Sequence, residues 1–376
     1  MSIKAQTYIE LLKICLQDEP KVTDKLINLC NGHIDWIDLL NFAARQGVIG
    51  VYWRGIELIF KSPTPLNKPT DDEVMEWWGE VNDIRKRNED LFKKTAFVSD
   101  TFRKEGFDNC ILKGQGNAMM YPDPYLRTPG DIDIWLKGNR VEITSYINKM
   151  FPNEKGGKLH IAFPIFKDTL VEVHYIPNTL ANPFAFYYLK GFYKDNQEKQ
   201  MSNFISLPNG RSITFPLPYF NIIHQLGHIM GHYLYEGISL KQLVDYFYVM
   251  KKFHYWNKTN EDSYRSFDII QILKRTGMNK FAKVIMYIML EEFGINPDYL
   301  YTTEDKKGGV LVFNSIVDEI NPHSYTLHNM QNLSLYNSIS ERQKLKAYRT
   351  FTLFPYFPGE TIWGLWGRFK NVISNS

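Results

Sequence analysis

The sequence predicts an α+β protein, a small mixed α/β core set between a helical N-terminal region and a helical C-terminal region. Three observations predict it. Residues 34–48 and 71–104 carry apolar side chains three and four apart, the spacing of one-sided helices. Near Gly106 that pattern gives way to short apolar runs of strand length bounded by glycine, proline and turn residues. From Pro216 onward the helical spacing returns. A chain of 376 residues suits two or three domains. The changes in character place the boundaries at 1–105, 106–215 and 216–376.

Element by element, residues 64–70 with Pro65 and Pro69 form a loop before the long helix 71–104. Within that helix Arg85, Lys86, Arg87, Lys93 and Lys94 are interrupted by acids, the mark of a solvated face. Residues 109–113 (NCILK) read as a strand ended by Gly114-Gln115-Gly116 and a short helix to about Tyr121. Turn formers fill 123–130 (DPYLRTPG). Residues 131–136 (DIDIWL) alternate acidic and apolar, as a strand with one polar face does. A helix over 140–150 follows, then strands over 159–166 and 169–175 joined at Lys167-Asp168. Asn209-Gly210 between two apolar runs marks a hairpin over 204–215. Helices are expected over 217–234 and 239–251, with at least two more before residue 295; residues 304–309 (EDKKGG) read as a loop.

Composition narrows the function. Hydrophobic residues at 44% and charged residues at 23% describe a folded chain, and 15% aromatics supply a large core. A net charge of +3 is too small for a protein that tracks a phosphate backbone, although a local cluster of Lys and Arg can still hold an acidic substrate. Cys15, Cys30 and Cys110 form no paired motif, which favours a reducing cytoplasm. Glu10 and Lys13 interrupt the only apolar stretch at the N-terminus, so no signal peptide is expected. No run approaches the roughly 18 apolar residues of a membrane span. The aromatic segment 351–370, broken by Pro355, Pro358 and Gly359, is expected to pack on the helical domain rather than dip into a membrane.

One order of residues carries chemistry. Asp131 and Asp133, two apart on a strand, leave the same face. Glu172, in VEVH on a later strand, is a third carboxylate if the strands are neighbours. Two or three carboxylates on one surface suit Mg²⁺, which takes oxygen ligands and keeps several waters. Two such ions about 3.5–4 Å apart neutralise a polyphosphate and activate an attacking oxygen. Glycine at Gly114 and Gly116 lets backbone amides approach a phosphate. A lone acid pair of this kind is common on strands and also serves glycosyltransferases; the order of glycine turn, acid pair and later acid is what points to nucleotidyl transfer.

The segment ILKGQGNAMMYPDPYLRTPGDIDIWL resembles the signature of the uncharacterised bacterial nucleotidyltransferase family of the DNA polymerase β-like superfamily. Lys113-Gly114, Tyr121-Pro122, Arg127, Asp131 and Asp133 match its motif in order, and HIMGHYLYEGISLKQLVDYFYVM resembles its His-rich helix and the basic-Gln-Leu-x-Asp helix that follows. Two positions depart: Gln115 stands where the superfamily turn has Ser or Gly, and Lys241 where Arg is expected. The resemblance implies a polymerase β-like core and a nucleotidyltransferase that uses an NTP donor. Asp131, Asp133 and Glu172 would then be catalytic and bind Mg²⁺, two ions or Mn²⁺ in their place, with Glu172 also a candidate base. Lys113, Gly114, Gln115 and Arg127 would hold the nucleotide, Arg127 having pairing with Asp131 or Asp133 as its plainer role.

His224, His228 and His232 share a helix face, where they serve as cleft residues, interior histidines or zinc ligands; the absence of an HExxH arrangement weighs against zinc. His174, two residues past Glu172, lies on the same strand face, and His174, His228, His232, Lys241 and Asp245 are candidates for contacts to the acceptor or to the metal ligands. Lys241 and Asp245 also have the spacing of a simple ion pair within a helix. The acceptor is expected to be a small molecule, sugar or protein rather than long nucleic acid. The competing classes are a catalytically silent nucleotide-binding protein of the same fold and a histidine-centred metallohydrolase.

Overall fold

The chain begins with helices α1 (Ile3–Cys15), α2 (Asp24–Asn31), α3 (Trp36–Gln46), α4 (Ile49–Lys61) and α5 (Asp71–Lys104) in a computed structural model that describes residues 1–32, 34–259, 266–318, 354, 356 and 358–364. Helix α5 starts where the sequence marks it. The Thr70 side chain accepts from the Glu73 amide while the Glu73 carboxylate accepts from the Thr70 amide, a reciprocal cap. Asp71, Asp72 and Glu73 in its first turn and Arg103 and Lys104 in its last complement the helix dipole. At 34 residues it is about 51 Å long. Its first half places Trp77, Val81 and Ile84 in one apolar cluster with α1, α3 and α4, and its second half places Phe92, Ala96 and Phe102 in another.

That second half lies under a four-stranded sheet. Strands β1 (Asn109–Ile111), β2 (Ile132–Leu136), β3 (His160–Ala162) and β4 (Val171–His174) pair in the order β1-β2-β4-β3; β2 and β4 run parallel, the other two pairings antiparallel. A four-residue turn of helix, α6 (Gln115–Ala118), links β1 toward β2, and α7 (Arg140–Met150) follows β2. The pleat sorts the side chains. Ile111, Ile132, Ile134, Ile161, Val171 and Val173 cluster with Phe92 and Phe102 of α5 and Ile143 and Ile147 of α7. The opposite face carries Asp133, Trp135, Glu172 and His174, since Asp133 is in register with Glu172 and Trp135 with His174. The α+β class expected from the sequence is thus what the chain adopts.

Next come helix α8 (Pro183–Met201), the hairpin of β5 (Phe204–Ser206) and β6 (Ser212–Thr214), whose Ile213 joins the apolar cluster of α5, and helices α9 (Pro218–Tyr235) and α10 (Leu240–Thr259). Trp135 stacks on Phe220 of α9, ring centroids 5.8 Å apart, and meets Tyr193 of α8 edge-on. Helices α11 (Ser266–Arg275), α12 (Asn279–Tyr287) and α13 (Lys306–Asp318) complete the described chain apart from residues 354, 356 and 358–364.

Three expectations change. The strand expected over 159–166 spans only His160–Ala162, because Pro164 has no amide to continue the ladder. The loop expected over 304–309 gives way to α13 at Lys306, where the Asp305 side chain accepts from the Gly308 amide and its carbonyl from the Gly309 amide. Helix α8 was not expected at all; Asn182 caps it and Pro183 opens it. Of the C-terminal aromatic segment, residues 358–364 pack back on the chain: the Glu360 carboxylate accepts from the Ala181 and Asn182 amides at 2.7 and 3.0 Å. Phe351, Trp366, Arg368 and Lys370 lie outside the described residues. Among the described residues no helix is long and apolar enough to cross a membrane, and Cys15, Cys30 and Cys110 are free and buried.

Candidate functional site

The polar face of the sheet gathers the three acids. Because β2 and β4 are parallel neighbours with Asp133 directly beside Glu172, the two carboxylates stand side by side, and Asp131 joins them from the residue before β2. Ligand oxygens of Asp131, Asp133 and Glu172 all lie within 4.8 Å of one another. Asp133 is buried, Glu172 half-buried and Asp131 exposed, so the cluster opens to solvent on the Asp131 side.

Lys113 and His174 occupy the buried end. Lys113 Nζ lies 2.9 Å from Asp133 Oδ2 and 3.1 Å from His228 Nε2. His174 Nε2 lies 2.9 Å from Asp133 Oδ1 and 3.6 Å from Glu172 Oε2. Burial alone would raise the Asp133 carboxyl, but the Lys113 charge and the His174 hydrogen bond hold it well below the usual carboxylate range. The charge of Asp133 in turn raises the Asp131 carboxyl. Burial pulls on Lys113 and His174 the other way, yet their carboxylate neighbours raise both. His160 of β3 approaches from the far side, Nδ1 3.5 Å from Glu172 Oε2; nothing in the sequence pattern marked it.

The glycine turn sits above this cluster. Gly114 holds φ +55° and ψ −119°, a conformation that side-chain-bearing residues rarely adopt. A Cβ on Gly116 would fall 1.9 Å from the Phe215 ring, so only glycine allows α6 to lie against the residue that follows β6. Gln115 is buried and does not face the acids: its Nε2 donates to Asn88 Oδ1 at 3.1 Å, while Asn88 Nδ2 donates to the carbonyls of Tyr125 and Arg127. Asn117 and Gln225 exchange a reciprocal pair of side-chain hydrogen bonds at 3.0 and 2.7 Å, docking α6 on α9. The Gln115 side chain thus helps anchor the loop that leads to Asp131.

Arg127 pairs with neither Asp131 nor Asp133. It is buried and forks onto Asp245 of α10, Nε to Oδ1 at 2.9 Å and Nη2 to Oδ2 at 2.8 Å, with the Tyr121 hydroxyl donating to the same Oδ1 at 2.6 Å. The Lys241–Asp245 ion pair that the spacing suggested is replaced: Asp245 is engaged by Arg127 and Tyr121, and Lys241 Nζ donates to the Pro129 carbonyl at 3.3 Å. Burial and the nearby Arg127 charge bring the Lys241 ammonium down to about 8. Residues 121, 127 and 245 therefore clamp the loop before the acid pair onto α10.

The three histidines of α9 part company. His224 is fully buried against Tyr193 and Phe220, and burial brings its imidazole down to about 3. His228 faces Lys113, and burial followed by the Lys113 charge lowers it well below the ordinary value. His232 Nδ1 pairs with Glu236 at 2.7 Å. Among the described residues, the groups of three side chains placed to ligate one metal are Asp131–Asp133–Glu172 and His160–Glu172–His174, neither of which includes an α9 histidine.

A family model described as uncharacterised nucleotidyltransferase matches residues 32–289. Among solved structures, the chain is similar to that of an antigenic nucleotidyltransferase-like protein from Paracoccidioides brasiliensis, at 16% identity over 43% of this chain and 76% of that one, with a TM-score of 0.29. No curated protein matches.

Proposed function

The chain belongs to the uncharacterised nucleotidyltransferase family, and we propose that it moves a nucleoside monophosphate from an NTP to a hydroxyl or phosphate acceptor, releasing pyrophosphate. The observation that carries this reading is the convergence of Asp131, Asp133 and Glu172 within 4.8 Å on one face of two parallel strands, open to solvent at one end. An all-oxygen donor set of this kind fits Mg²⁺, or Mn²⁺ in its place. Bound there, such ions neutralise the charge that develops on the triphosphate.

Each side chain then has a task. Asp131, the exposed member, meets the incoming nucleotide first. Asp133 is kept ionised by Lys113 and His174, ready to ligate at neutral pH. The Lys113 ammonium, set beside the acids on the strand end before the glycine turn, supplies a positive charge for the polyphosphate. Glu172, half-buried at the edge of the cluster, is placed to take the proton of an acceptor hydroxyl. Arg127 and Asp245 position the loop that delivers Asp131. The α/β part over 106–215 holds nucleotide and metal, and the helices after it border the acceptor. A small molecule, sugar or protein acceptor fits the weak net charge of +3 better than long nucleic acid does.

Calorimetric titration of ATP, CTP, GTP and UTP with Mg²⁺ into wild type and Asp131→Asn tests the reading. Because Asp131 is exposed, the variant keeps its fold. Metal-dependent binding of one NTP that the variant loses supports the proposal. Binding that survives in the variant, or no binding of any NTP, overturns it.

A further inference from the structure

The acidic cluster is not the only ligand set on this face. His160 and His174 are in register on the antiparallel strands β3 and β4, with imidazole centroids 5.2 Å apart and Glu172 beside them. His160 Nδ1 and His174 Nε2 approach the same oxygen, Glu172 Oε2, at 3.5 and 3.6 Å. A tetrahedral ion with bonds of about 2.0–2.1 Å separates neighbouring ligands by about 3.4 Å, close to both of these spacings; binding it exchanges the His174 Nε2 hydrogen bond to Asp133 Oδ1 for a bond to the ion. His160 Nδ1 is itself buried and has no hydrogen-bond partner, which leaves its lone pair without an assignment in the folded protein. The His160 side chain as a whole is 38% exposed, so the cluster has a solvent-facing side.

We propose that His160, Glu172 and His174 form a second metal site, selective for a borderline transition ion such as Zn²⁺, that shares Glu172 with the Asp131–Asp133 cluster. Two imidazoles and one carboxylate select differently from three carboxylates: imidazole nitrogen favours Zn²⁺, Co²⁺ or Ni²⁺, whereas an all-oxygen set favours Mg²⁺ or Mn²⁺. The two sites are therefore chemically distinct although they meet at one residue. A His₂Glu site with an open position is the donor set of catalytic rather than closed structural zinc. The shared carboxylate couples them: an ion on the histidine side engages Glu172, the residue read above as the base toward the acceptor.

The test uses the full, untagged chain, stripped of metal and kept in excess Mg²⁺, titrated with Co²⁺ and followed by its visible d–d absorption, then with Zn²⁺. The expected result is one equivalent of Co²⁺ with an absorption typical of low coordination number, displaced by Zn²⁺ and not by Mg²⁺. His160→Gln, which retains side-chain bulk at a part-exposed position, is expected to weaken Co²⁺ binding by more than the roughly 10–100-fold that loss of a merely supporting partner costs. Asp131→Asn is expected to leave Co²⁺ binding unchanged, which separates this site from the nucleotide reading: either can fail while the other stands. Absence of a saturating absorption change, or equal Co²⁺ affinity in wild type and His160→Gln with both variants folded by circular dichroism, overturns the proposal.

Discussion

Acidification should destabilise this protein through His224, and the effect can be worked out from its surroundings. The side chain is fully buried among Tyr193, Phe220 and the start of α9, and neither ring nitrogen has a hydrogen-bond partner. Burial holds its pKa at about 3 against an ordinary 6.5. Between those values the unfolded chain binds the proton and the folded chain does not, so stability falls as pH drops. The contribution is intact above pH 6.5 and is lost progressively toward pH 3. At pH 5 the unfolded histidine is 1.5 units below its pKa, and at about 1.36 kcal/mol per unit the loss is about 2 kcal/mol. The assay is urea unfolding of wild type and His224→Leu at pH 7.5 and pH 5. The wild type should lose about 2 kcal/mol more than the variant over that interval, the comparison cancelling other titrating groups and the fixed cost of the substitution. Equal losses in the two proteins would refute the argument that His224 stays neutral in the fold.

Other predictions address the scaffold. Asp245→Ala leaves the buried Arg127 guanidinium without its carboxylate and should cost about 3–5 kcal/mol in urea unfolding; Arg127→Leu/Asp245→Leu should cost less than the sum of its single changes, and strict additivity would contradict the pairing. Gly116→Ala puts a methyl group 1.9 Å from the Phe215 ring and should lower the unfolding midpoint sharply, by an amount that Gly116→Ala/Phe215→Leu partly restores; a neutral Gly116→Ala would refute the close approach.

Much of this fold could be read from the chain because its cues are local. The apolar spacing after the proline-broken loop 64–70 marked α5, and the alternation of DIDIWL marked β2. The neighbour relation of β2 and β4, on which Glu172 depends, stayed open in the sequence, because α7 and β3 lie between them and only the parallel pairing puts Asp133 beside Glu172. What stayed hidden is long-range. Nothing near Arg127 announces that its partner is Asp245, 118 residues on, and with both fully buried the local i,i+4 partner Lys241 loses to a forked one. His160 was missed because a lone histidine on a three-residue strand has no motif; only the register with His174 gives it meaning. Helix α8 escaped because aromatic, polar and glycine residues are mixed along it with little periodicity, and its packing on α9 supplies what the pattern lacks. The partner of Gln115 was equally hidden: its side chain lies behind the glycine turn, on Asn88.

The reaction itself is most directly tested with NTPs labelled at the α or the γ phosphorus, incubated with Mg²⁺, a small-molecule extract as acceptor source, and either wild type or Glu172→Gln. The α label should pass to a new species while the γ label leaves in pyrophosphate, and Glu172→Gln should slow both by about 100-fold or more. Transfer of γ label to the acceptor, or transfer of α label undiminished in Glu172→Gln, would contradict the proposed reaction.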